Sequence, residues 1–121
     1  MKQKHIFSLL IVFFGFTLIS IAYPVEEIFP TKLRVTVIDG LGNEVEGAMV
    51  TLYLTEEDYR SSENAIDSGV TDKKGRVTFK DLEPVSYYLD ARTGEMNNDG
   101  KGAKTAELLE GKINTVNTVI E

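Results

Sequence analysis

The chain has 121 residues, of which 42% are apolar and 26% charged, with 13 Lys and Arg side chains against 19 Asp and Glu. This length allows no more than one domain, and the apolar content excludes a wholly disordered protein. Cysteine is absent, which excludes disulfides, thiolate zinc sites and a lipid-modified cysteine anchor, so the fold has to depend on a hydrophobic core.

The first 22 residues have the pattern of an export signal. Two early lysines are followed by an uncharged, mostly apolar run at residues 6–22, which ends in Ser20-Ile21-Ala22. Small residues at these positions are typical of a signal-peptidase site that cuts before Tyr23. The alternative is an uncleaved membrane anchor, since a helix over this run rises roughly 26 Å, just short of the hydrocarbon core. Both interpretations export residues 23–121, to the periplasm or the exterior.

Removal of this segment makes the chain more acidic. Loss of the two lysines leaves 11 Lys and Arg against the same 19 Asp and Glu, a net charge of −8. No basic patch is evident in the remaining sequence, so we expect no binding to nucleic acid or to an anionic membrane.

Beyond an extended tether at residues 23–31, short runs of alternating apolar and polar residues predict β-strands. The first strand covers residues 32–38, and the second covers residues 48–54 after a turn-rich loop. Alternation turns one apolar set of each strand toward the core. These inner residues are Leu33, Val35 and Val37 in the first strand and Ala48, Val50, Leu52 and Leu54 in the second.

The segment from residue 55 to residue 64 is the first long connection. Thr55 followed by three acidic residues is typical of a helix N-cap, which predicts a single helical turn. Residues 65–70 form a short third strand and residues 76–80 a fourth. Between them, Asp72 and Gly75 are the residue types that a tight turn requires.

A second turn at Pro84 leads to the fifth strand, which opens on two tyrosines. Alternation puts Tyr87, Leu89 and Ala91 on the inner face and Tyr88 on the outer face. A buried tyrosine needs a partner for its hydroxyl. We therefore expect the Tyr87 hydroxyl to bond a nearby backbone group, as in the tyrosine corner of immunoglobulin-type sandwiches.

The remaining sequence predicts two more strands. Residues 92–102 form a second long loop, residues 103–109 the sixth strand, and residues 112–121 the seventh. The imperfect alternation of the last strand indicates a bulge. Seven short strands, with no helical period long enough for crossovers, predict an all-β, antiparallel, immunoglobulin-like sandwich at residues 32–121.

Part of this pattern resembles a known family. Over residues 32–91 the chain is similar to carboxypeptidase regulatory-like, or transthyretin-like (prealbumin-like), β-sandwich modules. The residues that carry the resemblance are Asp39, Gly42, Val45, Gly47, Ala48, Val50, Leu52, Thr71, Asp72, Gly75, Phe79, Leu82, Pro84, Tyr87, Leu89 and Ala91. Val85 stands where the family often has a glycine after the proline, so that turn departs from the pattern. The resemblance implies a non-catalytic sandwich that supports folding or contact, as in modules appended to enzymes, transporters and adhesins.

The mature sequence offers no catalytic set. Its only histidine, His5, lies in the expected signal, which excludes nucleophile–histidine catalysis and His/Cys metal sites in residues 23–121. Transthyretin-like hydrolases of purine breakdown need histidines and a tyrosine-containing C-terminus, whereas this sequence ends in Asn117-Thr118-Val119-Ile120-Glu121. The carboxylates of Glu56-Glu57-Asp58 lie in a solvated loop, where acid–base catalysis is not expected. We expect neither an enzyme nor a bound cofactor.

A covalent crosslink is not expected either. Collagen-adhesin B-type sandwiches, which are distant relatives of the family, can join a lysine to an asparagine beside an acidic catalyst. Alignment on the Asp39-to-Ala48 pattern puts Val37 at the lysine position, and alignment on Tyr87 and Leu89 puts Ala91 at the glutamate position. Both positions are apolar here.

Two weaker patterns suggest a ligand. The run Glu95-Met96-Asn97-Asn98-Asp99-Gly100 follows the start of an EF-hand loop, but Ala106 stands at the twelfth position, which favours ordinary turn chemistry. The second pattern is a set of three outward side chains, those of Thr51, Tyr53 and Tyr88. They form either an aromatic ligand patch or only the cover of a sheet face.

Three classes of function follow from these observations. The leading hypothesis is an exported, non-catalytic structural or protein-interaction module of the bacterial cell envelope. It would bind another envelope or extracellular protein through a sheet edge or the two long loops. The alternative is a carbohydrate- or calcium-binding domain. An enzyme is disfavoured, since catalysis requires side chains that the mature sequence lacks.

Export generates the first testable prediction. We expect N-terminal sequencing of the protein from its host to begin at Tyr23, because the small residues before it fit a signal-peptidase site. Intact Met1 on a cytosolic protein would contradict export, whereas Met1 on a membrane-bound protein would favour the uncleaved anchor.

The missing catalytic and crosslinking residues generate the second prediction. We expect residues 23–121 to have the mass of the unmodified chain, no hydrolase activity and no metal after dialysis. A mass short by one ammonia would reveal a crosslink, and a stoichiometric metal would reveal a cation site.

Overall fold

A computed structural model describes residues 28–101 and 103–121, so the expected signal and most of the tether lie outside the described residues. This part of the chain forms two β-sheets and one short helix. The helix, α1, covers Glu56–Ser61. The strands are β1 (Lys32–Asp39), β2 (Met49–Tyr53), β3 (Asp67–Val70), β4 (Arg76–Phe79), β5 (Tyr88–Thr93), β6 (Met96–Asn97) and β7 (Ile113–Ile120). Among the described residues, no helix is long and apolar enough to cross a membrane.

The two sheets have the strand orders β4-β1-β7 and β3-β2-β5-β6, which confirms a two-sheet all-β fold. The expectation of a purely antiparallel sandwich is wrong for one pair, because β1 and β7 run parallel from Lys32–Ile113 to Asp39–Ile120. A parallel neighbour requires a long connection, and here the whole chain between β1 and β7 supplies it. The register is continuous over these eight pairs, so the bulge expected in the last strand is also absent from this pairing.

The predicted sixth strand is misplaced. Residues 103–109 meet the start of β5 only through a single bridge, between Tyr88 and Lys104. The sixth strand is instead β6, which pairs with the end of β5 around a tight turn at Gly94. Gly94 has φ 57, a left-handed conformation that glycine adopts at little cost. The sequence predicts a loop here because neither segment beside this polar turn alternates for long.

The inner faces of the two sheets form one hydrophobic core. It contains all the predicted inner residues except Leu54, together with Phe79, Leu108 and Ile120. Its buried members are Leu33, Val35, Val37, Ala48, Val50, Leu52, Phe79, Tyr87, Leu89, Ala91, Leu108 and Ile120. Leu54 was expected among them but is 45% exposed, because β2 ends at Tyr53 and the chain turns into α1. Every described member of this core follows residue 32, so residues 23–121 include all of the core that the structure describes, and we expect this segment to fold as a unit.

The predicted turn between β3 and β4 is confirmed. Asp72 Oδ1 accepts the backbone N–H groups of Lys74 at 2.9 Å and Arg76 at 3.0 Å. The bonds from Arg76 and Lys74 lower the pKa of the Asp72 carboxyl, which stabilises its charged form. Gly75 has φ 71, and a Cβ at this position would lie 2.8 Å from the carbonyl oxygen of Val37. Glycine is therefore required here both by backbone conformation and by space.

Tyr87 has the environment that the sequence predicts. Its side chain is 2% exposed, and its hydroxyl donates to the carbonyl oxygen of Glu83 at 3.0 Å. Burial raises the pKa of this hydroxyl. Tyr88 is only half-buried on the opposite face. The expected register of β5 and the tyrosine-corner contact are both confirmed.

A buried asparagine joins the two sheets at the end of β6. The Asn98 side chain is fully buried, and its Nδ2 donates to the Leu89 carbonyl and to Thr118 Oγ1, both at 3.0 Å. Its Oδ1 accepts the N–H of Ala91 at 3.0 Å. Leu89 and Ala91 belong to β5 and Thr118 to β7, so a single amide connects both layers.

The third prediction concerns Tyr87. Replacement by alanine should lower the free energy of unfolding by about 3 kcal/mol or more, because a large buried aromatic is lost. Tyr87→Phe should lower it by about 1 kcal/mol, the net value of one hydrogen bond. Denaturant unfolding of residues 23–121 measures both, with Tyr88→Ala as the matched control. A larger loss for Tyr88→Ala would contradict the register.

Candidate interaction surfaces

The acidic run Glu56-Glu57-Asp58 belongs to the helix α1. Thr55 Oγ1 accepts the N–H of Asp58 at 3.1 Å, which confirms the predicted N-cap. The first turn of α1 contains Glu56, Glu57 and Asp58. Negative charge at this end of a helix is stabilised by the helix dipole. Glu56 also pairs with Arg60 one turn later, in an exposed position. These carboxylates therefore stabilise a six-residue helix, longer than the single predicted turn.

The two positions aligned with a crosslink lie in the core. Val37 in β1 and Ala91 in β5 are both fully buried and pack among apolar side chains. Neither has a side chain that could donate or accept a proton.

The run that resembles a cation-binding loop is arranged as a hairpin and a turn. Asn97 lies in β6, and its Oδ1 accepts the N–H of Asp99 at 3.0 Å. The Asp99 carboxylate accepts a bond from Arg92 Nη2 at 2.9 Å, so one of its oxygens is already bonded to a cationic side chain. Across residues 28–101 and 103–121, no group of three or more His, Cys, Asp and Glu side chains could hold a metal ion.

Two of the three predicted patch residues belong to an aromatic cluster. The Tyr59 ring, in α1, lies 6.1 Å from Tyr53 and 6.0 Å from Tyr88, measured between ring centroids. The third predicted residue, Thr51, is not part of this cluster and pairs with Ser68 at 3.3 Å between hydroxyls. The sequence interpretation missed Tyr59, although it is the only aromatic residue of the polar segment around α1.

A groove of about 420 Å³ opens beside this cluster, and we call it the tyrosine groove. It is lined by Glu56, Tyr59, Arg60, Tyr88, Asp99, Gly100, Ala103 and Lys104. The Lys104 ammonium lies 5.4 Å above the centre of the Tyr88 ring, a cation–π arrangement. The groove thus combines aromatic faces with charged groups that can form hydrogen bonds.

Behind the groove, one arginine bonds two carboxylates. Arg92 bonds both Asp90 and Asp99 at 2.9 Å. Burial raises the pKa of the Asp90 carboxyl, although Arg92 opposes this effect. Burial, with the nearby charges of Asp99 and Asp90, also raises the pKa of the Tyr59 hydroxyl. Tyr59 therefore remains a neutral hydrogen-bond donor at ordinary pH.

The second surface is the outer edge of β7. The Lys32 N–H donates to the Lys112 carbonyl at 3.0 Å, in agreement with the parallel register. Because bonding directions alternate along a strand, even-numbered residues of β7 face β1, and odd-numbered residues present their backbone groups to the outside. Within the described chain, no hydrogen bond reaches the backbone of four of these residues, which we call the open edge: Ile113, Thr115, Asn117 and Val119. The next odd residue, Glu121, exchanges two backbone bonds with Asn97.

The open edge lacks the devices that usually protect a sheet edge. Natural edge strands are commonly short, bulged or interrupted by charges or proline. In contrast, β7 has eight residues, no charged side chain and no proline, and Ile113 is 53% exposed. Among the described strands, β3 and β4 have four residues each and β6 has two, so β7 is the longest edge.

The chain matches no family model and no curated protein. Among solved structures it is similar to the Bacillus anthracis TIE protein (TM-score 0.53, 21% identity), with 76% of this chain and 17% of that chain covered. It is also similar to a streptococcal ancillary pilin (TM-score 0.58, 18% identity), with 78% of this chain and 33% of that chain covered. A third similar structure is chlorocatechol 1,2-dioxygenase from Pseudomonas putida (TM-score 0.51, 16% identity), with 82% of this chain and 63% of that chain covered.

These likenesses concern the fold alone, and the chain spans less than two thirds of each of these structures. Both a pilin and a dioxygenase appear among them, so the fold does not select a function. They identify no carboxypeptidase regulatory-like family. The supported conclusion is an all-β, prealbumin- or immunoglobulin-like sandwich.

Proposed function

We propose that the chain is an exported, non-catalytic β-sandwich module of the bacterial cell envelope that binds another protein at the open edge. The observation that carries this proposal is the row of backbone groups along β7 that no described residue bonds. An extended segment of a partner can add to such an edge as a further strand, with backbone hydrogen bonds for affinity and side-chain contacts for specificity. Export is supported by the signal pattern of residues 1–22.

The energetics indicate what the partner strand must provide. Each backbone hydrogen bond contributes about 1 kcal/mol net, while association costs on the order of 4 kcal/mol or more. Backbone pairing along the open edge can therefore offset the cost of association, but it leaves only a small net free energy of binding. Ile113 and Val119, at the two ends of the edge, are the apolar side chains that can add contact area. We infer that the partner strand is uncharged and has apolar residues at matching positions.

A second candidate function is carbohydrate binding in the tyrosine groove. It is favoured by one observation, the Tyr59 and Tyr88 rings beside the charged groups of Asp99 and Lys104. Aromatic faces can stack on sugar rings, and the surrounding charged groups can bond sugar hydroxyls.

The fourth prediction separates these two functions. Thr115→Pro should abolish partner binding, because proline removes an outward N–H while leaving the bonds between β7 and β1 intact. The matched control is Thr115→Val, which alters the same side chain but keeps the N–H. Retention of envelope proteins by immobilised residues 23–121 measures the effect. We expect Thr115→Pro to lose partner binding and Thr115→Val to retain it.

Amide hydrogen exchange provides the second readout. In the free protein, the amides of Ile113, Thr115, Asn117 and Val119 should exchange faster than those of the residues between them, and the bound partner should protect them. Partner binding that survives Thr115→Pro but is lost with Tyr88→Ala would contradict strand addition and favour the tyrosine groove.

A further inference from the structure

The outer face of the three-stranded sheet gathers positive charge. In β1, Lys32 and Arg34 alternate with the buried residues and so point away from the core. In β4, Arg76 is exposed, as is Lys80 immediately after the strand. The turn before β4 adds two exposed lysines. We call this surface the cationic face; its cations are Lys32, Arg34, Lys73, Lys74, Arg76 and Lys80.

The strand register brings these like charges together. Arg34 lies opposite Thr78, and Thr36 lies opposite Arg76, so the two arginines are diagonal neighbours. The same register, continued by one residue, sets Lys80 opposite Lys32. Like charges on neighbouring strands destabilise a sheet. The fold therefore bears an electrostatic cost at this face, which an anionic ligand would relieve.

Two acidic side chains offset these six cations only in part: Glu44, which is bridged to Ile38, and Asp72 in the turn before β4. At the outward positions that follow Lys32 and Arg34 in β1, and along the whole of β7, the side chains carry no negative charge. None of the six cations forms an ion pair among the described residues, where the paired cations are Arg60, Arg92 and Lys101. The expectation that the chain has no basic patch is therefore wrong for this face, because the charges come from two separate segments.

The cationic face contains a groove of about 550 Å³, lined by Arg34, Asp72, Lys73, Lys74, Arg76 and Thr78. Asp72 is the one acidic residue in this lining; its charge acts on Arg76 and Lys74, so one carboxylate faces four cations in the groove. Beside the cations lie neutral hydrogen-bonding side chains on the same face, namely Thr36, Thr78, Thr115 and Asn117. The lining suits a ligand that carries both negative charges and hydroxyl groups.

We propose that the cationic face binds a linear acidic polysaccharide. A groove admits a chain-like ligand more readily than a flat lipid surface. The outward strand positions of this sheet carry no aromatic side chain, whereas binding of single-stranded nucleic acid relies on base stacking. Carboxylates or other anionic groups of the glycan bond the arginines and lysines, and its hydroxyls bond the threonines and Asn117. This site is independent of the strand addition proposed above, since it uses side chains and not the backbone of β7.

Binding of hexagalacturonate, a linear uronic acid oligomer, to residues 23–121 provides the fifth prediction. Arg34→Gln with Arg76→Gln should weaken binding roughly tenfold or more, since each arginine loses a charge-assisted bond. Lys73→Gln with Lys74→Gln, in an exposed turn where folding is not at risk, should weaken it in the same direction. Binding should also weaken as salt rises from about 0.01 to about 0.15 M.

The matched control is Lys101→Glu, which changes the net charge by the same amount as either double variant at a residue that does not line the groove of the cationic face. It should leave hexagalacturonate binding unchanged, and neutral maltohexaose should not bind the wild-type protein. Equal weakening by Lys101→Glu would overturn the proposal, as would the absence of hexagalacturonate binding. Tighter binding to single-stranded DNA or to phosphatidylserine vesicles would also overturn it. Self-association at low salt would also overturn the proposal if the Lys73 and Lys74 double variant abolished it. That result would identify a second copy of the chain as the anionic partner.

Discussion

The buried amide of Asn98 is the interaction on which the arrangement of the two layers depends. It bonds two backbone groups of β5 and the hydroxyl of Thr118 in β7, so it fixes the last strand relative to the opposite sheet. Each buried polar group left without a partner costs about 1–3 kcal/mol. Loss of this amide would leave three such groups, a large fraction of the 5–15 kcal/mol typical of a domain. The position of β7 relative to the four-stranded sheet is therefore fixed by this amide together with the two backbone bonds between Asn97 and Glu121.

The three candidate surfaces use different chemistry, although the open edge and the cationic face share Thr115 and Asn117. The open edge offers backbone groups, the tyrosine groove offers aromatic rings, and the cationic face offers side-chain charge. The tyrosine groove belongs to the four-stranded sheet with α1, whereas the open edge and the cationic face both belong to the three-stranded sheet. A small module of this kind can therefore contact a protein strand and a glycan without competition for the same groups.

Local patterns in the sequence predict much of this fold. Alternation identifies the inner residues of β1, β2 and β5, because the two-residue period depends only on neighbouring residues. Thr55 and Asp72 predict a cap and a turn, since their side chains bond backbone groups a few residues away. The contact between Tyr87 and Glu83 is equally local, which explains why the sequence predicts it.

The features that the sequence does not predict depend on distant partners. The direction of β7 follows from its pairing with β1, and alternation within β7 carries no information about that partner. Asn98 looks like an ordinary turn residue, and its burial requires Thr118 to come close. The cationic face combines residues 32 and 34 with residues 73 to 80, which only the pairing of β1 with β4 brings together. The tyrosine groove likewise requires α1 to fold back over β2 and β5.

The parallel pairing of β1 with β7 also affects the order in which the protein can fold. During synthesis from the N-terminus, β1 emerges long before β7, and the central strand of its sheet lacks one neighbour until the last strand arrives. Contacts between such distant segments form slowly because a long loop must close first. The three-stranded sheet is therefore the part of the sandwich that is completed last.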